Sequence, residues 1–462
     1  MRTFERLLFG FCFFHAIVQD RRKFGSLGWN ISYAFTQEDL AVCRRQLLDL
    51  VQVESEIPYE VLQFLGASIN YGGRVTDPND KRLISALISK YVGPQLVHSE
   101  DYVFSQSGLY YCPASTELSE VLAYIEGLPL SSSAEAFGLH ANCEIATAHR
   151  SVHTLLHNML EMEAPDEASA QVSSKEQVVH QLAQDLLDQL PPLFELAALE
   201  TQFPTDYRES MNTVLKQECV RFNVLLHLMT TSLRELGKAL RGTVVLSSEL
   251  DRVMNQLFLN TVPDLFANKS FLSLKPLSGW TTELIQRIAF FADWIHAGAR
   301  PPRFWMGAFF FPQAFMAGIL QNYARSQGIP IDKLSFAFQV EGQPPLDGVE
   351  VYGLFLEAAT MREGVLAEAQ PKELYSGFPS LFLIPVVTAT YVKPLHVYEC
   401  PCYKILSRSG TLSTTGHSTN FVLYVDIPTY LGVPPGNPKD HAQQLKDQHM
   451  ISSVALFLAL SF

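Results

Sequence analysis

The spacing of apolar residues changes near residue 330, and this change limits the folds that the chain can adopt. From Met211 to Leu240, apolar residues advance by three or four positions each time, a mean spacing of about 3.6, which is the period of an α-helix. From Leu334 to Val340, apolar and polar residues alternate instead, as in a half-buried strand. The sequence therefore predicts an α+β protein whose helices come first and whose strands come last.

The first 95 residues carry several helix signals. Residues 3–20 are apolar on nearly every face, which is typical of a helix surrounded by protein. Thr36 and Asp39 match a capping box. Asp77-Pro78 supplies an N-cap followed by proline at the first helical position. Residues 1–95 are therefore predicted to form a small all-helical unit.

A second helical region is predicted from about residue 115 to residue 326. Ser173 and Glu176 match a capping pattern ahead of an apolar stripe that ends at Pro191-Pro192, and residues 164–174 are predicted to form a loop. The regular stripe of residues 211–240 is interpreted as core packing rather than as a partner-binding groove.

The last third of the chain contains several short β-rich segments. They lie at residues 334–340, 349–352, 380–392, 395–404 and 419–427, with a turn signal at Asp347-Gly348. Short strands at this spacing predict a barrel-like or sandwich-like part. Residues 454–460 are predicted to return and close the sheet.

The charge balance argues against a nucleic-acid partner. The 462 residues, enough for about two to four domains, include 34 Lys and Arg against 47 Asp and Glu, which gives a net charge of −13. There is no basic run, and sequence-independent binding to nucleic acid depends on neutralising phosphates with Lys and Arg.

Two apolar stretches could suggest a membrane protein. Residues 7–18 are too few to span a bilayer, and no signal-peptide cleavage site follows them. Residues 304–324 are long enough and carry no Asp, Glu, Lys or Arg, but they include Pro312 and Gln313, and polar groups are costly in hydrocarbon. Both stretches are predicted to be buried in protein, and no membrane partner is expected.

The seven cysteines form no dense framework, and their odd number favours a reducing compartment. Cys400 and Cys402 are the one close pair, with His396 and His417 nearby. Zinc is one interpretation of this group, but the C-x-C spacing is unusual for it. The other interpretation is two cysteines on a β segment, and no metal site is predicted.

The sequence carries none of the common catalytic motifs. The phosphate-binding G-x-x-x-x-G-K-[ST], H-E-x-x-H, G-x-S-x-G and G-x-G-x-x-G patterns are all absent from it. The residues alone therefore predict no catalytic site, no nucleotide site and no cofactor.

Long strings of residues, in order along the whole chain, resemble the carboxy-terminal end of dynein heavy chains. The string GTLSTTGHSTNFV and the compact spacing at residues 36–70 resemble the axonemal branch of that family. The matching segments are LLFGFCFFHAIVQDRRKFGSLGWNISYAF (7–35), NYGGRVTDPNDKRL (70–83), MNTVLKQECVRFNVLL (211–226), PRFWMGAFFFPQAFMAGILQNYARSQGIPID (302–332), DGVEVYGLFLEAA (347–359) and GTLSTTGHSTNFVLYVDIP (410–428).

The resemblance implies a division into parts. Residues 1–95 resemble the helical lid of the last AAA+ module of the motor ring. Residues 100–330 resemble the helical part of the dynein C-terminal domain, and residues 331–462 its β-rich, barrel-like part. The family's ATP-hydrolysing modules lie upstream, so the chain alone is expected to be a non-catalytic ring lid and regulatory brace without its own cofactor, ATP and magnesium being bound upstream.

The resemblance also implies partners and a location. The partners are the remaining AAA+ ring, dynein intermediate, light intermediate and light chains, and microtubules through the complex. The implied activity is minus-end-directed, ATP-driven sliding of microtubules in the axoneme of a cilium or flagellum, within the cytoskeleton of the cytoplasm. The start at the lid suggests a fragment, a short isoform or an incomplete gene model. Because the first helix would then lack neighbours, we expect it to expose an apolar patch.

Arg74 is a sensor-like candidate by the same resemblance, since AAA+ lids often place an arginine near the γ-phosphate. The alternative is an ion pair with Asp77 or with another module. Gly72, Gly73, Asp77 and Pro78 are expected to have structural roles around it. Two other functions stay open: a stand-alone interaction module without motor activity, and an enzyme whose site no motif reveals.

Overall fold

The computed structural model describes residues 2–54, 56–99, 102–115, 117–162, 169–408, 410 and 419–458. Within these ranges, helices occupy most of the chain as far as Gln327, and every strand except a three-residue one follows that point. The α+β class and the order of its parts, which the apolar spacing predicted, are confirmed.

The N-terminal part is helical, as predicted. Its helices are α1 (Arg2–Asp20), α2 (Gln37–Val53), α3 (Tyr59–Phe64), α4 (Pro78–Tyr91), α5 (Pro94–His98), α6 (Leu118–Glu126) and α7 (Asn142–Met162). Thr36 and Asp39 form the expected capping box at the start of α2. The Asp77 carboxylate accepts hydrogen bonds from the amides of Asn79 and Asp80 at the start of α4.

Helix α1 is surrounded by its own chain, so the predicted exposed patch is wrong. Its inner face is at most 3% exposed and consists of Leu7, Phe11, Phe14, Ile17 and Val18. The outer face is covered because residues 102–112 fold back as a hairpin. On that side the Phe9 and Phe13 rings stack on Phe104, with centroids 6.3 and 4.5 Å apart. The missing neighbours of α1 are therefore supplied by the segment that follows the predicted unit.

The second helical region contains the long helix that the period predicted. Its helices are α8 (Ser169–Gln189), α9 (Leu196–Gln202), α10 (Ser210–Leu240), α11 (Ser248–Phe258), α12 (Asp264–Ala267), α13 (Leu277–Ala297) and α14 (Pro312–Gln327). The apolar stripe of α10 is buried, which confirms core packing. Ser173 lies inside α8 rather than at its cap, and residues 169–174 of the predicted loop are helical, so both predictions are wrong; residues 164–168 of that loop lie outside the described residues.

The apolar stretch at residues 304–324 is not one continuous helix. It contains most of β1 (Arg303–Trp305), a 3-10 turn (Met306–Ala308) and the larger part of α14. Among the described residues, none of the helices combines the length and apolar character that crossing a membrane requires.

The strands form sheets in the last third of the chain. They are β1, β2 (Leu334–Val340), β3 (Val349–Tyr352), β4 (Leu354–Glu357), β5 (Ala359–Arg362), β6 (Val365–Glu368), β7 (Tyr375–Gly377), β8 (Leu381–Val387), β9 (Val397–Tyr403), β10 (Phe421–Pro428) and β11 (Ala455–Leu458). The sheet orders are β1-β3-β8-β2, β10-β9-β11-β4-β7 and the pair β5-β6. Within the described residues, the sheets stay separate and do not close into one barrel.

Strand β11 completes the five-stranded sheet, as predicted for residues 454–460; residues 459–462 lie outside the described ranges. It pairs antiparallel with β4 and parallel with β9. Helix α15 (Pro438–Ile451) precedes it and was not predicted. Its sequence has few apolar residues, so it carries little of the periodic signal that identifies a helix.

Two large hydrophobic cores result, together with a small cluster of Tyr403, Ala455 and Phe457. We call the first core the buried cluster that runs from Leu7 to Cys143 and also includes Ile451. The second core runs from Val179 to Leu458 and contains residues of helices and strands alike. Because the first core continues to Cys143, it extends beyond the boundary predicted at residue 95.

The burial of α1 can be tested by one substitution on each of its faces. Phe11 is 1% exposed, whereas Cys12 beside it is exposed. We expect Phe11→Ala to lower the free energy of unfolding by about 3–5 kcal/mol, because it opens a cavity in the first core. Cys12→Ala should change it by less than about 0.5 kcal/mol. Urea unfolding followed by circular dichroism measures both, and equal effects would contradict the assigned orientation of α1.

Candidate functional site at the joint between the two cores

The two cores meet at a set of hydrogen-bonded side chains that we call the joint: Asn30, Asn79, Tyr403 and Tyr424. The Asn79 amide donates to the Tyr403 hydroxyl at 2.9 Å, and the Tyr424 hydroxyl donates to the Asn79 carbonyl oxygen at 2.7 Å. The Asn30 amide donates to Tyr403 at 3.3 Å. Asparagines from the N-terminal part therefore meet tyrosines from the five-stranded sheet.

The secondary structure positions these side chains. The Asp77 cap fixes the first turn of α4, where Asn79 lies, and Asp77 also accepts a hydrogen bond from the Asn30 amide at 3.1 Å. Tyr403 ends β9, and Tyr424 lies on the neighbouring β10. The joint therefore combines a capped helix turn with two paired strands, and each of these surfaces is ordered by its own backbone hydrogen bonds.

Asp80 holds the loop that carries Asn30. Its carboxylate accepts hydrogen bonds from the amides of Asn30 and Ile31 at 3.0 and 3.1 Å, and from the Tyr33 hydroxyl at 2.9 Å. Burial, with a smaller contribution from the Asp77 carboxylate, raises the pKa of Asp80 to about 7, although the three donors act in the opposite direction. The loop is thus tied to α4 by a group that titrates near neutral pH.

Arg21 connects three distant segments beside the joint. Its fully buried guanidinium donates to the carbonyl oxygens of Gly28, Phe137 and Ile451 at 3.1, 2.5 and 3.2 Å. Burial lowers the pKa of Arg21 to about 10. Ile451 is the last residue of α15, so the contact binds the first core to the segment that leads into β11.

Two glycines allow these segments to approach. A β-carbon at position 28 would lie 1.7 Å from the carbonyl oxygen of Arg21, and one at position 138 would lie 2.4 Å from the Ile451 side chain. Gly138 also has a φ of 71°, which favours glycine. Side chains at either position would force the contacts around Arg21 and Ile451 apart.

Further contacts surround the joint. Asn142 at the start of α7 donates to the carbonyl oxygens of Gln370 and Glu373, both at 2.9 Å, and accepts from the Lys372 amide at 2.7 Å. Arg82 on α4 lies over the Tyr424 ring at 5.3 Å. The first core is therefore held to the sheets at several separate places.

A buried ion pair stabilises the turn between α15 and β11. Arg408 pairs with Glu357 of β4 and also donates to the side-chain and backbone oxygens of Ser453, at 2.7 and 2.8 Å. Burial raises the pKa of Glu357, although Arg408 acts against this. Breaking such a pair by removing one partner is costly, because the other charge stays buried.

Arg74 lies away from the joint. Its guanidinium donates to the carbonyl oxygen of Ala34 at 2.8 Å and pairs with Asp39 at 3.1 Å. The predicted pair with Asp77 is wrong, because the Asp77 carboxylate faces the amides of α4 and Asn30. The Arg74 side chain is roughly half exposed, and the sensor role stays a prediction.

The neighbouring residues take structural positions. A β-carbon on Gly72 would lie 2.0 Å from the carbonyl oxygen of Ala67, whereas one on Gly73 would meet nothing within 4 Å. Pro78 occupies the first position of α4 after the Asp77 cap. Gly72 is therefore required by a close backbone approach, and Gly73 by none that the structure shows.

Cys400 and Cys402 lie on β9 inside the second core. Burial raises the pKa of both thiols. The His396 ring packs beside His441, with centroids 5.5 Å apart, and His417 lies outside the described residues. In the described part of the chain, no three His, Cys, Asp or Glu side chains come together as a metal-binding group.

The joint is suited to holding segments together rather than to binding a ligand. The cavity that Asn30, Asn79 and Tyr403 help to line has a volume of ≈ 20 Å³. Pockets for small ligands usually measure about 300–1,000 Å³. The joint is therefore too closed to hold a nucleotide.

Two family models together match most of the protein. The model for the AAA lid domain of dynein heavy chains matches residues 4–143, and the model for the C-terminal domain of dynein heavy chains matches residues 149–458. The protein belongs to the dynein heavy chain family. The gap between the two matches falls within α7, so this helix connects the lid to the C-terminal domain.

Relatives at 40–43% identity are axonemal dynein heavy chains, which confirms the predicted axonemal type. Dynein axonemal heavy chain 3 of Mus musculus is 41% identical over 433 residues, and heavy chain 1 of Homo sapiens is 43% identical over 437 residues; each match covers 92% of this chain and 10% of the relative. Heavy chain 12 of Mus musculus is 40% identical over 92% of this chain and 14% of its own length. The protein thus spans about a tenth of the length of these dyneins.

Sequence reasoning missed the residues that connect the lid to the C-terminal domain. Arg21 and Asn30 stand in no pattern that predicts a role for them. Asn79 lies two positions after the predicted cap, which is a signal that could have been used. Tyr403 and Tyr424 carry no local signal, because their partners are more than 300 residues away.

The titration of Asp80 predicts a pH dependence of stability. Its folded-state pKa lies near 7 and its unfolded-state pKa near about 3.9. The stabilisation is therefore fully present below about pH 4 and is lost as the pH rises through 7. Relative to Asp80→Asn, the free energy of unfolding of the wild-type protein should fall by up to about 4 kcal/mol across this range.

Urea unfolding at a series of pH values measures this difference. Asp49→Asn is the matched control, since Asp49 is an exposed residue of α2 in an ion pair with Arg45. That variant should keep the slope of the wild-type protein. If the free energy of unfolding changes with pH in the same way in the wild-type protein and in Asp80→Asn, the raised pKa of Asp80 would be contradicted.

Proposed function

We propose that this protein acts as a non-catalytic lid and brace of an axonemal dynein heavy chain. The observation that carries the proposal is the joint, in which the first turn of α4 and the end of β9 share buried hydrogen bonds. A lid bonded in this way moves together with the C-terminal domain. A movement of the last ring module would then move the C-terminal domain by the same amount.

ATP hydrolysis, in this proposal, belongs to modules upstream of the lid, where ATP and magnesium would bind. The absence of a phosphate-binding loop from the sequence supports this division. A cavity of ≈ 470 Å³ lies along α9 and α10, but both cations that line it are engaged. Lys216 pairs with Glu200 at 2.7 Å, and Arg221 pairs with Glu218 at 2.9 Å.

The partners follow from the same proposal. The protein would lie against the remaining AAA+ ring, and would meet intermediate, light intermediate and light chains and microtubules only through the assembled complex. It would work in the axoneme of a cilium or flagellum, in minus-end-directed sliding of microtubules. A sensor role for Arg74 is less supported than its structural role, because its guanidinium is already paired with Asp39.

Helix α7 offers a surface for the ring. Its exposed apolar residues follow the spacing i, i+3, i+4 and i+7, which places them on one face. They are Val152, Leu155, Leu156 and Met159. Because α7 also joins the lid to the C-terminal domain, a ring module that packs on this face would contact the brace at its connection.

A second function, a stand-alone interaction module, is favoured by the environment of α1. The residues that cover α1 belong to this chain, as described for Phe9, Phe13 and Phe104. The lid can therefore bury its most apolar helix without an upstream domain. We also propose that the working boundary of the lid falls after Cys143 rather than at residue 95, since the first core ends there.

A chimeric motor tests the brace. This protein would replace the C-terminal region of a relative such as axonemal heavy chain 1, with Tyr403→Phe and Tyr424→Phe introduced together. Loss of the two hydroxyls leaves the Asn79 side chain unpaired, and we expect microtubule gliding speed to fall by at least half while basal ATP turnover is kept.

Tyr207→Phe serves as the control, because Tyr207 is exposed and lies outside the joint. It should leave both rates unchanged. Gliding speed equal to the control in the double variant would contradict the brace. If the chimera that carries the unmodified sequence of this protein does not move microtubules, the result would favour the stand-alone module.

A further inference from the structure

Helix α6 presents an apolar face that no other described part of the protein covers. Leu118, Leu122 and Ile125 are 70%, 47% and 47% exposed, and no residue of α6 is buried. Their spacing of four and three residues places them on one side of the helix. A helix of nine residues is marginal in water on its own. Helix α6 packs on the protein through Tyr124, which contacts Phe9 and Tyr111, and this leaves the apolar face open to a partner.

The hairpin of residues 102–112 extends this surface. The Tyr111 amide donates to the Tyr124 hydroxyl at 3.0 Å, and that hydroxyl donates to the carbonyl oxygen of Leu109 at 3.2 Å. The Tyr111 and Tyr124 rings lie 4.4 Å apart, which fixes α6 against the hairpin. We call the apolar face of α6 the α6 patch, which consists of Leu118, Leu122 and Ile125; the hairpin beside the helix exposes three more apolar residues, Val103, Leu109 and Tyr111.

The α6 patch lies in the most one-sidedly charged part of the sequence. Residues 91–149 contain no Lys or Arg. The same stretch contains Glu100, Asp101, Glu117, Glu120, Glu126, Glu135 and Glu144. The exposed Glu117 precedes α6 as its N-cap and the exposed Glu126 is its last residue, so a carboxylate lies at each end of the apolar face. The patch is thus an apolar surface with an acidic rim.

We propose that the α6 patch is a docking surface for a basic amphipathic helix of another protein. Such a helix would place apolar residues at i, i+3, i+4 and i+7 against Leu118, Leu122 and Ile125, as in helix recognition by apolar surfaces. Its Lys or Arg residues would face Glu117 and Glu126. This surface is separate from the joint and from α7, so the inference does not depend on the brace.

The charge also argues against a second copy of this protein as the occupant. A two-fold contact through the α6 patch would bring its acidic rim against an identical acidic rim, and like charges at an interface are unfavourable. The α7 face differs as well, since its apolar residues are interspersed with His149, Arg150 and His153. Among the described helices of the lid, only α6 has both an open apolar face and a surrounding sequence whose Asp, Glu, Lys and Arg residues are all acidic.

Fluorescence anisotropy with two synthetic probes tests the proposal on the protein of 462 residues. One probe is a labelled helical peptide of Leu and Lys with leucines at i, i+3, i+4 and i+7; the other has Glu in place of each Lys. We expect the basic peptide to bind at least about tenfold more tightly. Glu117→Gln with Glu126→Gln should weaken its binding severalfold and reduce its dependence on salt.

The apolar contribution is tested by Leu122→Ser with Ile125→Ser, which should weaken binding of the basic peptide at least about tenfold. Leu155→Ser with Leu156→Ser on α7 is the matched control and should bind as the wild-type protein does. If the variant with Leu122→Ser and Ile125→Ser binds the basic peptide as tightly as the wild-type protein does, the proposal is overturned, since the peptide is then attracted only by the net charge. Equal affinity for both peptides would overturn it too, as would a dimer in sedimentation that the α6 double variant abolishes.

Discussion

The burial of Arg21 is the interaction on which the rest of the structure depends. A guanidinium without contact with water is costly unless its donors are bonded, and here each of its hydrogen bonds ends on a backbone carbonyl oxygen. Those oxygens belong to Gly28, Phe137 and Ile451, which span more than 400 residues of sequence. Removing the side chain would leave three carbonyl groups without their donor, and buried polar groups left unpaired are destabilising. Arg21 thus binds the end of α15 to the lid.

This arrangement gives the dynein lid and C-terminal domain a shared boundary instead of a flexible connection. The joint is polar, and its hydrogen bonds are directional, so Asn79 and Tyr403 can meet in one relative orientation of the lid and the sheet. An apolar contact of the same area has no directional bonds, so it would allow the lid to slide more easily against the sheet. Ile451 adds the apolar component, because it lies in the first core while its own helix packs on both α4 of the lid and β9 of the sheet. The protein spans about a tenth of the length of these axonemal relatives.

The sequence was informative wherever the signal was local. Thr36, Asp39, Asp77 and Pro78 mark helix starts through contacts with residues two or three positions away, and the α10 stripe reports a single buried face. The strand alternation after residue 330 identified the sheet region, but not the separation into three sheets, which depends on pairing between distant strands. The pairing of Arg74 with Asp39 and the cover over α1 were missed for the same reason, whereas α15 was missed because its sequence has few apolar residues. The position of Asn79 in the first turn of α4 was predictable from the Asp77 cap, but its contact with Tyr403 was not, since the two residues become neighbours only after both domains have folded.

The coupling of the lid to the C-terminal domain is tested most directly by hydrogen–deuterium exchange of the Tyr403→Phe variant. The substitution lies on β9, and it removes only the hydroxyl that Asn30 and Asn79 contact. If the joint holds the lid, amides of residues 28–35 and of the first turns of α4 should exchange faster than in the wild-type protein, although they belong to the other domain. Faster exchange confined to β9 and β10, with an unchanged lid, would contradict the account.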